Sequence, residues 1–530
     1  MKRLALIFAA LLPVAPLPAA QFFTNAVDVT NIVAQAVTRA QAVAPGVNAF
    51  VSVVDREGYV LGVWSVTGLG NSSLTDITGP VPLAIAKAGT AAFLSSDEHA
   101  FSTRTAGFIV QSNYPPGVIN KPPGPLVGVN FSNLDFTDIN RFKNPAGFNP
   151  AVTNGTNGGV VTTPVTGGLA GVPGGVPLYK AGKLIGGVGV AFDGESPTTI
   201  TPAVIQNPYV QEDIALAGQI GFAQSPVIAG SRVTVDGVRF AYIENAVPAL
   251  GAVVSLLAPG NGNSLAAFPL TNSPSVTYPA ITIGGVTGEL RFPIIADPAT
   301  NALAAARLTA AEVTAILTAG ANRARTTRAG IRLPRGRAMQ VFVSVINNPG
   351  TNGGTPVVLG SICTSPDTTR FSWDVSVQKA RTALFFSNAA RAFSSRTVGF
   401  MAQSLYPPGI ANTSPGIFLG LQERFSLFPI GGVNPLNGAT VTTPANIATP
   451  GTPNPHVNNG ITIFPGGFPL YRGGVLIGAV GVSGDGIDQD DIVGASGAAL
   501  FPPPIEIRAD RMVYRGARLP YAKFPRNPAL

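Results

Sequence analysis

At 530 residues the chain exceeds what one hydrophobic core usually supports, which sets an expectation of two or three domains. Hydrophobic residues make up 45% and charged residues 11%, too apolar a balance for a disordered chain. The net charge of +8 suits anionic ligands or acidic polymers. Cys363 is the only cysteine, which excludes an intrachain disulfide and a thiolate metal cluster within one chain.

Residues 1–20 read as a signal peptide: Lys2 and Arg3 at the start, an apolar run from Leu4 to Val14, and a cleavage region from Leu17 to Ala20. The protein is therefore expected to be exported, periplasmic or extracellular, which argues against nucleic acid as a partner. No later stretch reaches the roughly 20 uninterrupted apolar residues of a membrane helix, so no span is expected after cleavage.

A first domain is expected over 21–250. Its pattern predicts a helix near 28–43, two β-rich runs near 48–54 and 59–66, and helices near 81–95 and 97–112. The second of these ends at Tyr114-Pro115-Pro116-Gly117, which cannot continue a helix. A hairpin follows through 176–180 and 183–192, then a helix near Gln211-Glu212-Asp213, whose acids suit the positive end of its dipole. Residues 251–300 read as a connector with strands at Ser275 to Ile283 and Glu289 to Ile295. A second domain, 301–530, opens with a helix at 309–325, where Thr309 and Glu312 look like a capping box. Long segments rich in Gly, Asn, Thr and Pro interrupt both domains, at 118–173 and 410–465, and loops of that length tend to be functional or mobile. Two arginine clusters, Arg323 to Arg337 and Arg508 to Arg526, read as solvated rims.

The two halves repeat one another. FSTRTAGFIVQSNYPPG at 101–117 matches FSSRTVGFMAQSLYPPG at 393–409, a constant offset of 292 residues that also pairs GGVPLYKAGKLIGGVGV from Gly174 with GGFPLYRGGVLIGAVGV from Gly466. Lys87-Ala88 with Thr90-Ala91 match Lys379-Ala380 with Thr382-Ala383. Chance does not hold one register over so many separated blocks, so the pattern reads as duplication.

These blocks resemble the GlcG/HbpS-like family, known for haem-binding members. The resemblance rests on Lys87-Ala-x-Thr-Ala, the Gly-Gly-x-Pro-Leu hairpin, the glycine-rich strand ending Gly-Val-x-Gly, and the acidic helix behind it. It implies an α/β (α+β) fold of two profilin-like domains, each an antiparallel sheet flanked by helices. It also implies assembly into oligomers, here an intramolecular pseudo-dimer, and haem or a related tetrapyrrole as the small-molecule ligand. The long loops depart from the compact family domain.

Candidate ligand-binding residues are Lys87, Thr90, Arg104 and Gln111 in the first copy, with Lys379, Thr382, Arg396 and Gln403 in the second. Arg104 and Gln111 project along one helix edge beside Phe101 and Phe108, an arrangement suited to a carboxylate on an apolar body. The alternative is that the arginines anchor loop carbonyls or pair with an acid. Thr90 and Thr382 offer hydroxyls to a ligand, or bond their own preceding carbonyls. Tyr179 and Tyr471 end hairpin strands as iron ligands or packing anchors. The glycines around Gly186 and Gly189 sit inside a strand, which fails the context of a dinucleotide loop and leaves close approach of a helix or a ligand.

Only two histidines exist. His99 corresponds to Arg391, and it is the candidate metal ligand although its expected place in the first turn of a helix is solvated. His456 lies in a loop. No nucleophile elbow and no zinc spacing appears, so catalysis ranks third. First stands an exported small-ligand-binding protein with one pocket per copy; second, a non-catalytic interaction protein of the cell envelope whose repeated helix face joins the copies.

Overall fold

The computed structural model describes residues 22–68, 79–127, 169–195, 206–276, 278–299, 306–350, 355–419, 455–457 and 459–523. The expected signal segment and most of both long loops lie outside them.

The first half runs α1 (Ala26–Val43), β1 (Ala49–Asp55), β2 (Val60–Ser65), α2 (Pro80–Leu94), α3 (Thr103–Ile109), β3 (Gly175–Lys180), β4 (Lys183–Phe192) and α4 (Val210–Gln219). After it come three short strands, β5 (Thr234–Val235), β6 (Val238–Arg239) and β7 (Asn263–Ser264), and a hairpin of β8 (Ala280–Ile283) and β9 (Val286–Phe292). The second half repeats the order: α5 (Ala310–Thr326), β10 (Val341–Asn347), β11 (Val358–Cys363), α6 (Phe371–Phe385), α7 (Ser395–Met401), β12 (Gly467–Arg472), β13 (Val475–Gly484) and α8 (Ile487–Ala498).

The antiparallel sheets run β3-β4-β1-β2-β7 and β12-β13-β10-β11-β9-β8. Each is covered by helices on both faces. Val51 and Val53 pack with Val29, Ile32 and Ile214 of α1 and α4, while Phe50 and Val54 pack with Ala84 and Ala88 of α2. That alternation is the period of a strand, and it leaves all seven residues of β1 buried. The same irregularity in register falls between Val53 and Val54 and between Val345 and Ile346. The fold is thus the expected antiparallel sheet flanked by helices, present twice.

Local signals explain the element starts. Thr309 accepts from the Glu312 amide and Glu312 reaches back to the Thr309 amide, the expected capping box. The predicted helix at 97–112 is shorter than expected. Ser102 caps α3 by accepting from the Thr105 amide, so residues 97–100 form a loop and the helix stops at Ile109. Phe101, Gln111 and Ser112 therefore lie outside it, and the proposed continuous helical face does not exist. Gly189 and Gly481 settle the strand glycines in favour of a helix: a Cβ would stand 2.3 Å from the Ala84 carbonyl oxygen in one case and 1.9 Å from that of Ser376 in the other.

Residues between the halves are ordered onto both sheets. The Thr271 amide donates to Leu61 O at 2.8 Å, β7 extends the first sheet, and β9 pairs with β11 of the second. Charged contacts then tie the halves together. Glu57 receives Arg291 from Nη1 at 3.1 Å and Nη2 at 2.9 Å, with Arg370 Nε at 2.6 Å. Arg56 bridges Asp97 and Asp367. Arg332, expected on a solvated rim, is instead buried. It donates to Ser95 O from Nε and Nη2 and to Asp485 Oδ1 at 2.8 Å.

Candidate functional site

The loop from Ser95 to Phe101 leaves α2 and docks on the second half. Ser95 Oγ ties the loop ends by accepting from the Phe101 amide and donating to its carbonyl. Tyr179 Oη donates to Ser96 O at 2.7 Å, and Ser96 Oγ to Arg332 O at 2.7 Å. Tyr179 is thus a packing anchor, as is Tyr471, whose hydroxyl donates to Asn388 O.

That loop carries His99. Its Nδ1 lies 2.9 Å from the Ile331 carbonyl oxygen, which can only accept, so Nδ1 carries the proton and Nε2 of the neutral ring keeps its lone pair. Burial lowers the His99 pKa below its ordinary value, favouring that neutral form. A backbone carbonyl holding one ring nitrogen while the other stays free is the usual arrangement behind a metal-ligating histidine. His99 lines a cleft of about 730 Å³ between the halves, whose rim includes Arg232, Arg328 and Arg335. Asp236 and Asp488 also line it, but Asp488 is engaged by Arg396 and Lys523. In the second half Arg391 stands at the position that corresponds to His99.

The other candidate residues are internal. Arg104 donates from Nε and Nη2 to the two oxygens of Glu212, both at 2.9 Å, with both side chains buried. Arg396 pairs with Asp491 at 2.7 Å and Asp488 at 2.6 Å. Gln111 and Gln403 fold back to donate to Gly107 O and Gly399 O. Thr90 accepts from the Ala170 amide at 2.8 Å and Thr382 from the Thr462 amide at 3.0 Å, each tying the strand-side end of a long loop. Lys87 donates to Val190 O and Glu195, and Lys379 to Val482 O and Asp490 Oδ2, both at 2.8 Å. Burial pushes both ammonium groups below their ordinary pKa, and the paired acids oppose it. The arginines took the acid-pairing alternative, and of these candidate residues Lys379 lines a cavity between the halves.

Behind the cleft lies a smaller cavity with room for about 70 Å³, lined by Leu94 and Phe101 from one half and by Phe371, Val375 and the Lys379–Asp490 pair from the other. Ile331, Gly486 and Ile487 line both spaces. Sequence reasoning missed Asp490 in the smaller cavity and the arginines that line the cleft. Arg328 and Arg335 stood in a visible cluster, but nothing local marks their meeting with His99 across more than 200 residues.

Residues 358–499 match the HbpS-like family. The family is described as haem degrading protein HbpS-like, and the matched segment runs from β11 through α8, spanning Lys379, Thr382, Arg396, Gln403 and Asp490. Among solved structures, one similar chain is that of the crystal structure of the PduOC:haem complex, at 19% identity over 36% of this chain and 93% of that chain, with a TM-score of 0.22. Another is the Klebsiella pneumoniae protein ORFY, of family DUF336, at 19% identity over 36% of this chain and 86% of that chain, with a TM-score of 0.21. No curated protein matches. Among the described residues, no helix of this protein is long and apolar enough to cross a membrane.

Proposed function

We propose that this chain is an exported binding protein for haem or a related tetrapyrrole, taken up in the cleft between its halves. The observation that carries the reading is His99, held through Nδ1 by Ile331, with no partner for Nε2 among the described residues, beside a cleft of about 730 Å³. That size falls within the roughly 300–1,000 Å³ of ordinary ligand pockets. The family description points to haem, and the residues fit it. His99 Nε2 would hold the iron, and Arg232, Arg328 and Arg335 would meet carboxylates at the rim. Bound haem would supply an iron centre; the protein's own part is to fix the imidazole tautomer, orient the ring from a docked loop and neutralise the anionic edge.

Haemin titrated into the full-length chain is expected to develop a shifted Soret band that saturates at one equivalent, and His99→Ala to abolish the shift. Spectra equal to those of free haemin, or a His99→Ala variant that matches the wild type, would sink the reading.

The second reading, a non-catalytic scaffold of the cell envelope, draws on the buried ion pairs that join the halves. It expects haemin to leave the protein's spectrum and melting temperature unchanged.

A further inference from the structure

We propose that the inner cavity behind the cleft is a second binding site, for a small neutral molecule with a short apolar body and one hydrogen-bond donor, of which a short-chain alcohol is the simplest member. The cavity walls are mostly aliphatic and aromatic, and its 70 Å³ is room for a few waters or a handful of carbon atoms. Its polar lining includes the Arg332–Asp485 ion pair, whose charges balance each other, and Asp490. This side chain is 3% exposed, its Oδ2 receives Lys379 at 2.8 Å, and among the described residues its Oδ1 has no hydrogen-bond partner. The Gly484 amide lies close enough to favour the charged carboxylate, yet makes no hydrogen bond to Oδ1. A buried carboxylate oxygen without a donor is costly, and a ligand hydroxyl would remove that cost.

Charge decides the rest of the ligand class. Lys379 already balances Asp490 and spends a second donor on Val482 O, so the pair is neutral and a cationic ligand would add an unpaired buried charge. The first half lacks this acceptor. There Gln211 stands where Asp490 stands, beside Gly174 as Asp490 is beside Gly466, and its amide donates to Glu195 at 3.1 Å. The cavity adjoins the outer cleft, with Ile331 and Ile487 in the wall common to both spaces. The site needs no tetrapyrrole and stands or falls separately from His99.

Methyl NMR of the full-length chain, following Val375 and Ile487, tests it with propan-1-ol against propanenitrile, a molecule of similar size without a donor. Saturable shifts are expected, with the alcohol bound about tenfold more tightly, the scale of one hydrogen bond to a charged group. Val375→Phe, which fills the cavity and leaves the ion pair intact, is expected to remove both responses. The double variant Lys379→Met with Asp490→Leu, which leaves no lone buried charge, is expected to bind both molecules equally. Shifts that rise without saturation, equal affinities in the wild type, or a Val375→Phe protein that titrates like the wild type would overturn the proposal.

Discussion

Arg104 and Glu212 form a two-pronged ion pair, Nε and Nη2 each 2.9 Å from a carboxylate oxygen, sealed inside the first half. Glu212 also accepts from the Glu244 amide, and Arg104 donates to Asn207 O, so the pair staples α3 to the chain around α4. Breaking it from one side leaves a buried charge. Arg104→Met is expected to cost about 3–5 kcal/mol in urea unfolding, and Arg104→Met with Glu212→Leu to recover most of that loss. The haemin response of any folded variant should stay at the wild-type level. A stable Arg104→Met protein that no longer responds to haemin would return this arginine to the ligand.

Asp490 gives a pH dependence of defined sign. Burial is the largest influence and raises its pKa from 3.8 to about 6, against the pull of Lys379. Between those values the native state holds a proton that the unfolded chain releases, so this group makes stability fall as pH rises from about 4 to about 6. The expected amplitude is at most about 3 kcal/mol, from 1.36 kcal/mol per pKa unit. Chemical unfolding across that window should show the segment in the wild type and a flattened one in Asp490→Asn. Identical slopes would place the Asp490 pKa near its unfolded value.

Thr382 both donates to Gln378 O at 2.8 Å and accepts from the buried Thr462 amide at 3.0 Å. Thr382→Val keeps the shape and orphans that amide, which should cost about 1–3 kcal/mol. Thr382→Ser should restore most of it. If valine proves neutral, the hydroxyl does not hold the end of the long loop.

Glu57 is the acid on which Arg291 and Arg370 converge, and Arg291 also lies 3.7 Å from the centre of the Tyr278 ring. Glu57→Ala is expected to destabilise the junction by about 3–5 kcal/mol, because two guanidinium groups lose a buried counter-charge that Glu289 then has to balance for both. Calorimetry should then resolve separate unfolding of the halves, where the wild type unfolds in one transition. A single unaltered transition would mean that apolar packing such as Phe93 on Phe371 suffices to couple them.

Much of each half was legible because its signals are local. Strand alternation, the Thr309–Glu312 capping box and the glycine turns of the hairpins follow from neighbours within a few residues. The α3 boundary was missed for a related reason: Ser102 can cap or continue a helix, and only its reach to Tyr242 O and the Thr105 amide decides. The repeated Arg, Gln and Thr positions stood out in the sequence, and each makes an internal hydrogen bond or ion pair. Repetition does not say whether the constraint is a ligand or a staple, since both ask for the same side chains.

The order of residues by itself determined the antiparallel sheet flanked by helices, because periodicity and turn chemistry act over short separations. Tertiary structure alone decided which charges are spent internally and which face open space. Arg104 and Lys379 met acids brought from about 110 residues away, whereas His99 was docked on the Ile331 carbonyl, 232 residues distant, with one nitrogen left over. A side chain's chemistry is set by the partners that packing delivers, and no spacing along the chain encodes that meeting.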